Sequence, residues 1–176
     1  MLVGEHVVLR ARRESDVAVL HEELYDDVPT RIRADTRGWM PVGLADSPYA
    51  AHGARVEAAE FSIVERSTDE LAGEAILWQI DPHNRSAHAG LALRPRFRGR
   101  GLAVDTLRVL VDYALRIRGL HRVQLEIVAD NEPMLSAAQR VGFVQDGVLR
   151  ESVWVGGRFA DQIVLSVLAR VESSSG

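Results

Sequence analysis

Short runs in which every second residue is apolar alternate along this chain with longer runs in which apolar residues recur every three to four positions. Residues 6–10, with Val7, Val8 and Leu9, read as a short strand, and Ser15 offers an N-cap for a helix to about Tyr25 carrying Val17, Val19, Leu20 and Leu24. Residues 26–57 hold Pro29, Pro41 and Pro48 and sustain no period. That predicts a short helix plus loops, and so long an irregular stretch is either a functional lid or a helix with a concealed pattern. Residues 60–66 and 71–80 read as an antiparallel hairpin, and the turn Asp81-Pro82-His83-Asn84 leads into a third strand over 85–93. Residues 101–118 have helical period, with Ala103, Leu107, Leu110, Ala114 and Ile117 on one stripe and Asp105, Arg108, Asp112 and Arg116 on the polar side.

Gly119 closes that helix, and the apolar run at 121–128 predicts a buried strand parallel to 85–93, because a helix separates the two. Pro133 opens a further helix to about Val141, ended by Gly142. Residues 148–155 and 159–168 form a hairpin about Gly156-Gly157, a pair that tolerates the positive φ of a tight turn. The sum is an α+β fold: a mixed central sheet with an antiparallel meander, a parallel pair, flanking helices and a C-terminal hairpin. At 176 residues one domain is expected, over 1–170, with 171–176 a disordered tail.

Composition narrows the chemistry. A hydrophobic share of 47% supplies a packed core, and the absence of cysteine removes disulfides, thiolate metal sites and a cysteine nucleophile. The cytoplasm is the expected compartment. The net charge of -4 argues against bulk attraction to nucleic acid or anionic membrane. All 21 basic residues are arginine, which excludes a lysine Schiff base and a P-loop lysine and is the bias expected of GC-rich codon usage. Met1 to His6 lacks the basic and apolar regions of a secretory signal, and no apolar run approaches the roughly 20 residues of a membrane span. His6, His21, His52, His83 and His121 offer no ligand spacing, so no metal is expected.

The informative segment is Arg94-Pro95-Arg96-Phe97-Arg98-Gly99-Arg100-Gly101, between the third strand and the long helix. Two glycines at a helix start leave main-chain N–H groups uncovered, and the helix dipole adds positive potential, so such a turn binds phosphate-like anions. Arg96, Arg98 and Arg100 add charged donors. Neither G-x-x-x-x-G-K-S/T nor G-x-G-x-x-G with its acidic partner is present.

Arg96, Gly99 and Gly101 match the R/Q-x-x-G-x-G/A loop of the GNAT acetyltransferase superfamily. Leu125-Glu126-Ile127 leading to Asn131, and Ala137 to Phe143, resemble that family's next strand and helix in order and spacing. The opening Gly4 to Arg10 and the hairpin over 148–168 resemble the branch that acetylates ribosomal-protein N-termini. The likeness is weakest over 26–57. It implies a site for acetyl-CoA as acyl donor in a cleft where the strands at 85–93 and 121–128 splay apart. By the same resemblance, main-chain groups near Leu91, Ala92 and Leu93 pair with the pantetheine, and the amides from Arg98 through Gly99, Arg100 and Gly101 to Leu102, with Ala103 behind them, hold the pyrophosphate. Asn131, Met134 and Ala138 line the thiol end.

The reaction so implied is acetyl transfer to a primary amine by direct attack, with sequential kinetics and no acyl-enzyme. Glu126 matches the family's general base, five residues before the asparagine; His88, three residues before Leu91 and where relatives often carry Glu, is the rival. Glu74 and Asp81 are expected on a solvated face, and the scattered Trp39, Trp78 and Trp154 in core or cleft wall. Ala138 stands where many relatives place the tyrosine that protonates the departing thiolate, so water, Tyr49 or another residue of the irregular segment supplies that proton, or turnover has been lost. The alternatives are therefore a CoA-binding regulatory or accessory module without turnover, and RNA binding through the arginine run, which the acidic net charge disfavours. The acceptor, a small-molecule or peptide amine, is not identified by these residues, nor is the acyl chain length; no nucleic-acid or membrane partner is expected, and a homodimer is compatible with the reading.

Overall fold

The computed structural model describes residues 1–35, 37–51, 53 and 55–169; the expected tail at 171–176 lies outside the described residues. Strands β1 (Leu2–Val3), β2 (Val7–Ala11), β3 (Ala59–Glu65), β4 (Glu70–Asp81), β5 (Ser86–Leu93), β6 (Arg122–Val128), β7 (Val144–Val155) and β8 (Arg158–Leu168) form one sheet in the order β1-β2-β3-β4-β5-β6-β8-β7. β2 to β5 are an antiparallel meander, and β5 and β6 are parallel, as a helical crossover between them demands. Their pairing stops early. Only Ser86, Ala87 and His88 face Arg122, Val123 and Gln124 across this boundary, whereas β5 runs on to Leu93 against β4 and β6 runs on to Val128 against β8. The two strands diverge beyond His88 and leave a wedge in the sheet.

Alternation gives the sheet two unlike faces. Ala75, Leu77, Ala87, Ala89, Val123, Leu125 and Ile127 point to one side and make the main core with α3 (Leu102–Asp112) and α4 (Glu132–Val141). Ser62, Glu74, Ile76, Trp78, His88, Gly90, Ala92, Gln124 and Glu126 occupy the other by register. α1 (Glu14–Leu20), a π-helical turn at His21–Tyr25 and α2 (Val28–Ala34) accompany that second face at the β4 end, where Leu20, Leu24, Tyr25 and Tyr49 form a small cluster against Leu71 and Ala92. Among the described residues of 26–57 there are thus one short helix and a 3-10 turn at Leu44–Asp46, in agreement with a short helix plus loops.

Three expectations about the helices need correction. The N-cap of α1 is Arg13, not Ser15: the Asp16 carboxylate accepts the Arg13 N–H at 2.8 Å, so an acid in the first turn caps the helix in place of a hydroxyl before it. In the long helix, which passes into a π turn at Tyr113–Ile117, Ile117 is 62% exposed because the wider turn rotates it off the stripe. Asp105, assigned to the polar side, is buried, and its carboxylate accepts main-chain N–H groups of Glu5, His6 and Val7 at 3.2, 2.7 and 3.0 Å. It ties the chain between β1 and β2 to the first turn of α3.

Asp16 is a second buried carboxylate with a full set of donors: Arg10 at 2.6 and 2.9 Å, the Arg13 N–H, and the Ser62 hydroxyl at 2.7 Å. Burial pushes its carboxyl up, but those bonds outweigh burial and bring it down to about 2. A carboxyl depressed on folding stabilises the fold above its unfolded value and loses that contribution as pH falls through its folded value. The window here runs from about pH 4 to about pH 2 and the contribution is about 2 kcal/mol. Urea unfolding at pH 6 and pH 2.5 should show Asp16→Asn less stable at the higher pH, with a smaller acid-induced loss than the unsubstituted protein. Equal acid losses would remove Asp16 from this role.

Candidate active site

β5 ends at Leu93, and after Arg94 the segment Pro95–Phe97 makes a single 3-10 turn before the chain reaches α3. Gly99 and Gly101 have φ of 72° and 77°, the left-handed region that a side chain strains to adopt. A Cβ on either would meet nothing within 4 Å, so packing does not require these glycines; the backbone conformation and an open approach to the main chain do. Gly101 is the N-cap of α3 and no side chain caps that helix start. An uncovered helix N-terminus behind two left-handed glycines fits a diphosphate.

The arginines of this loop are differently employed from the expectation that they add free donors. Phe97 is fully buried, and the guanidinium groups of Arg94, Arg96 and Arg100 lie 5.4, 4.8 and 5.5 Å from its ring centre. Each also has a carboxylate partner on a different element: Arg94 with Glu23, Arg96 with Glu70 at 3.2 Å, and Arg100 with Glu65 at 2.9 Å. The Glu23 carboxyl is held below its usual range chiefly by the Arg94 hydrogen bond. Arg98 donates through Nε to the Leu93 carbonyl at 3.0 Å and so occupies one of the main-chain acceptors assigned to the pantetheine.

At the wedge the two rival bases are neighbours. His88 Nδ1 lies 3.7 Å from Glu126 Oε1, both side chains are about one-third exposed or less, and Glu126 also accepts a hydrogen bond from Gln124 Nε2 at 3.1 Å. Strand register makes this pair, since His88 faces Gln124 and Glu126 is the next residue on the same face. The Trp78 ring packs on His88 at 5.5 Å, tilted by 35°. Trp78 is half-buried cleft wall as expected, whereas Trp154 is 59% exposed and pairs edge-on with Phe159 near the C-terminal turn.

Glu74, expected on a solvated face, is instead largely enclosed. Arg12, whose side chain is 3% exposed, donates to it at 2.7 Å, and burial outweighs that partner and raises the Glu74 carboxyl above its ordinary value. Arg12 also lies over the Tyr49 ring and donates to the Tyr49 carbonyl at 3.2 Å. Burial, reinforced by the Glu74 charge, pushes the Tyr49 phenol up, so it stays protonated throughout the working range of an enzyme. Asp81, half-buried at the end of β4, accepts the N–H groups of His83 and Asn84 and so caps its turn.

On the far side of the wedge Asn131 is the N-cap of α4, its side chain accepting the Met134 N–H at 3.4 Å, and Met134 is half-buried against the core. Ala138 corrects the expectation that it lines the thiol end: it is 0% exposed and belongs to the core beneath α4. Leu91 and Ala92 are half-buried, Leu93 and Leu102 buried, and Ala103 half-buried behind the loop. The Arg12–Glu74–Tyr49 group and the stacking of Trp78 on His88 were not readable as a constellation, because the first draws on two loops and a strand far apart in sequence and the second on the β4–β5 register.

A main-chain anion cradle at a helix start beside a splayed parallel strand pair is the architecture of the acyl-CoA-dependent N-acyltransferases. Residues 6–144 match the family model for the acetyltransferase (GNAT) domain, and the chain belongs to that family. An uncharacterized N-acetyltransferase of Bacillus licheniformis is 30% identical over 114 residues, 65% of this chain and 64% of that protein. The spermidine N(1)-acetyltransferase of Vibrio cholerae is 29% identical over 99 residues, 56% of this chain and 57% of that protein. The matched stretch therefore spans about three fifths of the length of these relatives. Among solved structures, spermidine N-acetyltransferase from Vibrio cholerae with CoA and spermine superposes with a TM-score of 0.83 at 22% identity, covering 93% of this chain and 95% of that one. RimJ from Mycobacterium smegmatis with CoA-disulfide gives 0.81 at 22% identity, covering 93% and 82%. At these identities the structural likeness speaks for the fold. Among the described residues no helix is long and apolar enough to cross a membrane.

Proposed function

We propose that the protein transfers an acetyl group from acetyl-CoA to a primary amine. The observation that carries this is the wedge between β5 and β6, with the uncovered start of α3 after β5 and the His88–Glu126 pair beside its apex. The donor brings an already activated thioester, so the protein has to position the reactants, orient the carbonyl and accept a proton. The amides from Gly99 to Ala103 would hold the diphosphate, and the β5 main chain beyond His88, which β6 leaves unpaired, would hold the pantetheine. Glu126 would take the proton from the incoming ammonium, with His88 between it and the Trp78 wall as an aid or substitute.

An amine panel following free thiol tests this reading. Glu126→Gln is expected to lower kcat about 30-fold, less than a lone general base because His88 remains within reach, and Glu126→Gln with His88→Ala further still. Acetyl-CoA affinity by calorimetry should change little in either. Unchanged kcat in the double variant would remove the pair from catalysis. A ping-pong pattern with labelled enzyme would contradict direct transfer.

The buried Ala138 favours one second reading, a CoA-binding module without turnover, since no hydroxyl stands at the place of the family's usual proton donor. Tight acetyl-CoA binding with thiol release at background across the panel would select it.

A further inference from the structure

We propose that Trp78, lying over Gly90, is the platform for the acceptor's carbon skeleton, and that the acceptor is a primary amine with one positive charge and a flat or branched apolar body. This rests on the amine-acetyltransferase reading and adds the substrate class. Gly90 is the second residue beyond the last β5–β6 pair, on the face shared with His88 and Glu126. A Cβ built there would stand 3.0 and 3.4 Å from Cζ3 and Cη2 of Trp78 and 3.8 Å from Cγ2 of Ile76. Gly90 has no positive φ, so its backbone does not call for glycine. What calls for it is the indole, which lies close against the main chain at the apex of the wedge.

The surface so made is apolar over Gly90, built from Trp78 and Ile76, and aromatic at its edge, where the Trp78 and His88 rings meet. One carboxylate, Glu126, stands beyond His88 to receive an ammonium. The further carboxylates on this face are Glu60 on β3, directly across from Ile76, and Glu74, two residues and about 6.8 Å of strand from Ile76 along β4. Each is already matched, Glu60 by Arg55 and Glu74 by Arg12 at 2.7 Å. A second ammonium at either would meet a guanidinium as well as a carboxylate, so charge complementarity selects a single positive group. The face of a tryptophan attracts the ammonium and the apolar body together.

The experiment uses phenethylamine and spermidine as probes on the full chain saturated with CoA, following the Trp78 indole N–H by NMR, assigned from its loss in Trp78→Phe. Phenethylamine is expected to shift that signal and spermidine to leave it in place. In thiol-release assays, phenethylamine should have at least about tenfold higher kcat/KM than spermidine, and Trp78→Ala should lower its kcat/KM about tenfold, mainly through KM. Gly90→Ala, which pushes the indole off the strand without removing it, should raise KM in the same direction. A shift with spermidine alone, no shift with either amine, or a Trp78→Ala variant with unchanged KM for phenethylamine overturns the platform. A shift with phenethylamine without acetylation of either amine supports the platform and sinks the transfer reading, so the two failures are distinguishable.

Discussion

Replacing Gly99 by asparagine should weaken acetyl-CoA binding about a thousandfold while the fold survives. Asparagine adopts left-handed backbone more readily than other residues with a Cβ, and a Cβ at this place meets no protein atom within 4 Å. The loop therefore keeps its shape, and the new side chain stands over the amides between Gly99 and the start of α3. Losing two charge-assisted hydrogen bonds to a diphosphate at about 2 kcal/mol each corresponds to that factor. Calorimetric titration with acetyl-CoA measures it, with thermal unfolding as control. Wild-type affinity in a folded Gly99→Asn protein would remove the helix start from donor binding, whichever activity the protein has.

The largest effect on stability is expected at Asp105. Truncation to alanine leaves the N–H groups of Glu5, His6 and Val7 without their acceptor, and one of the three bonds lost is fully buried. At 1–3 kcal/mol for each unsatisfied group, partly relieved by water at the two less buried ones, the loss is about 4 kcal/mol. For a chain of this length that lowers the melting temperature by about 12 °C. Asp105→Asn keeps one oxygen acceptor and should cost about half as much. The site tolerates little else, because a Cβ on Gly4 would stand 2.5 Å from the Asp105 carboxylate. A melting temperature within 3 °C of wild type in Asp105→Ala, about the worth of a single kcal/mol, would show that β1 and β2 do not depend on this carboxylate.

The positions of most strands and helices were legible because their causes are local, whereas the placing of β8 between β6 and β7 was not. Alternation at 71–80 and the paired glycines at 156 and 157 gave the meander and the final hairpin, which the structure places at Glu70–Asp81 and about Val155–Arg158. The phosphate-type loop was readable for the same reason, since two glycines and a helix start are neighbours in sequence. Asp105 was misassigned because a helical wheel assumes that polar residues face water, whereas three amides from a segment about 100 positions away supplied its partners. Glu74 went wrong in the same manner, through Arg12, and His88 and Glu126 were read as rivals because only the β5–β6 register brings them together. Side-chain chemistry set by cross-strand pairing lies beyond any one-dimensional period.

The arginines ringed about Phe97 bear on how the donor is captured. Their partners come from two separate stretches of chain, Glu23 from the π turn after α1 and the facing pair Glu65 and Glu70 from the β3–β4 hairpin, so the turn that precedes α3 is braced from two sides before any ligand arrives. Binding then spends little conformational freedom there. It also follows that much of the turn's cationic charge is already neutralised, which shifts the grip on an incoming anion from mobile guanidinium groups to fixed peptide dipoles, whose aim does not depend on side-chain rotamers.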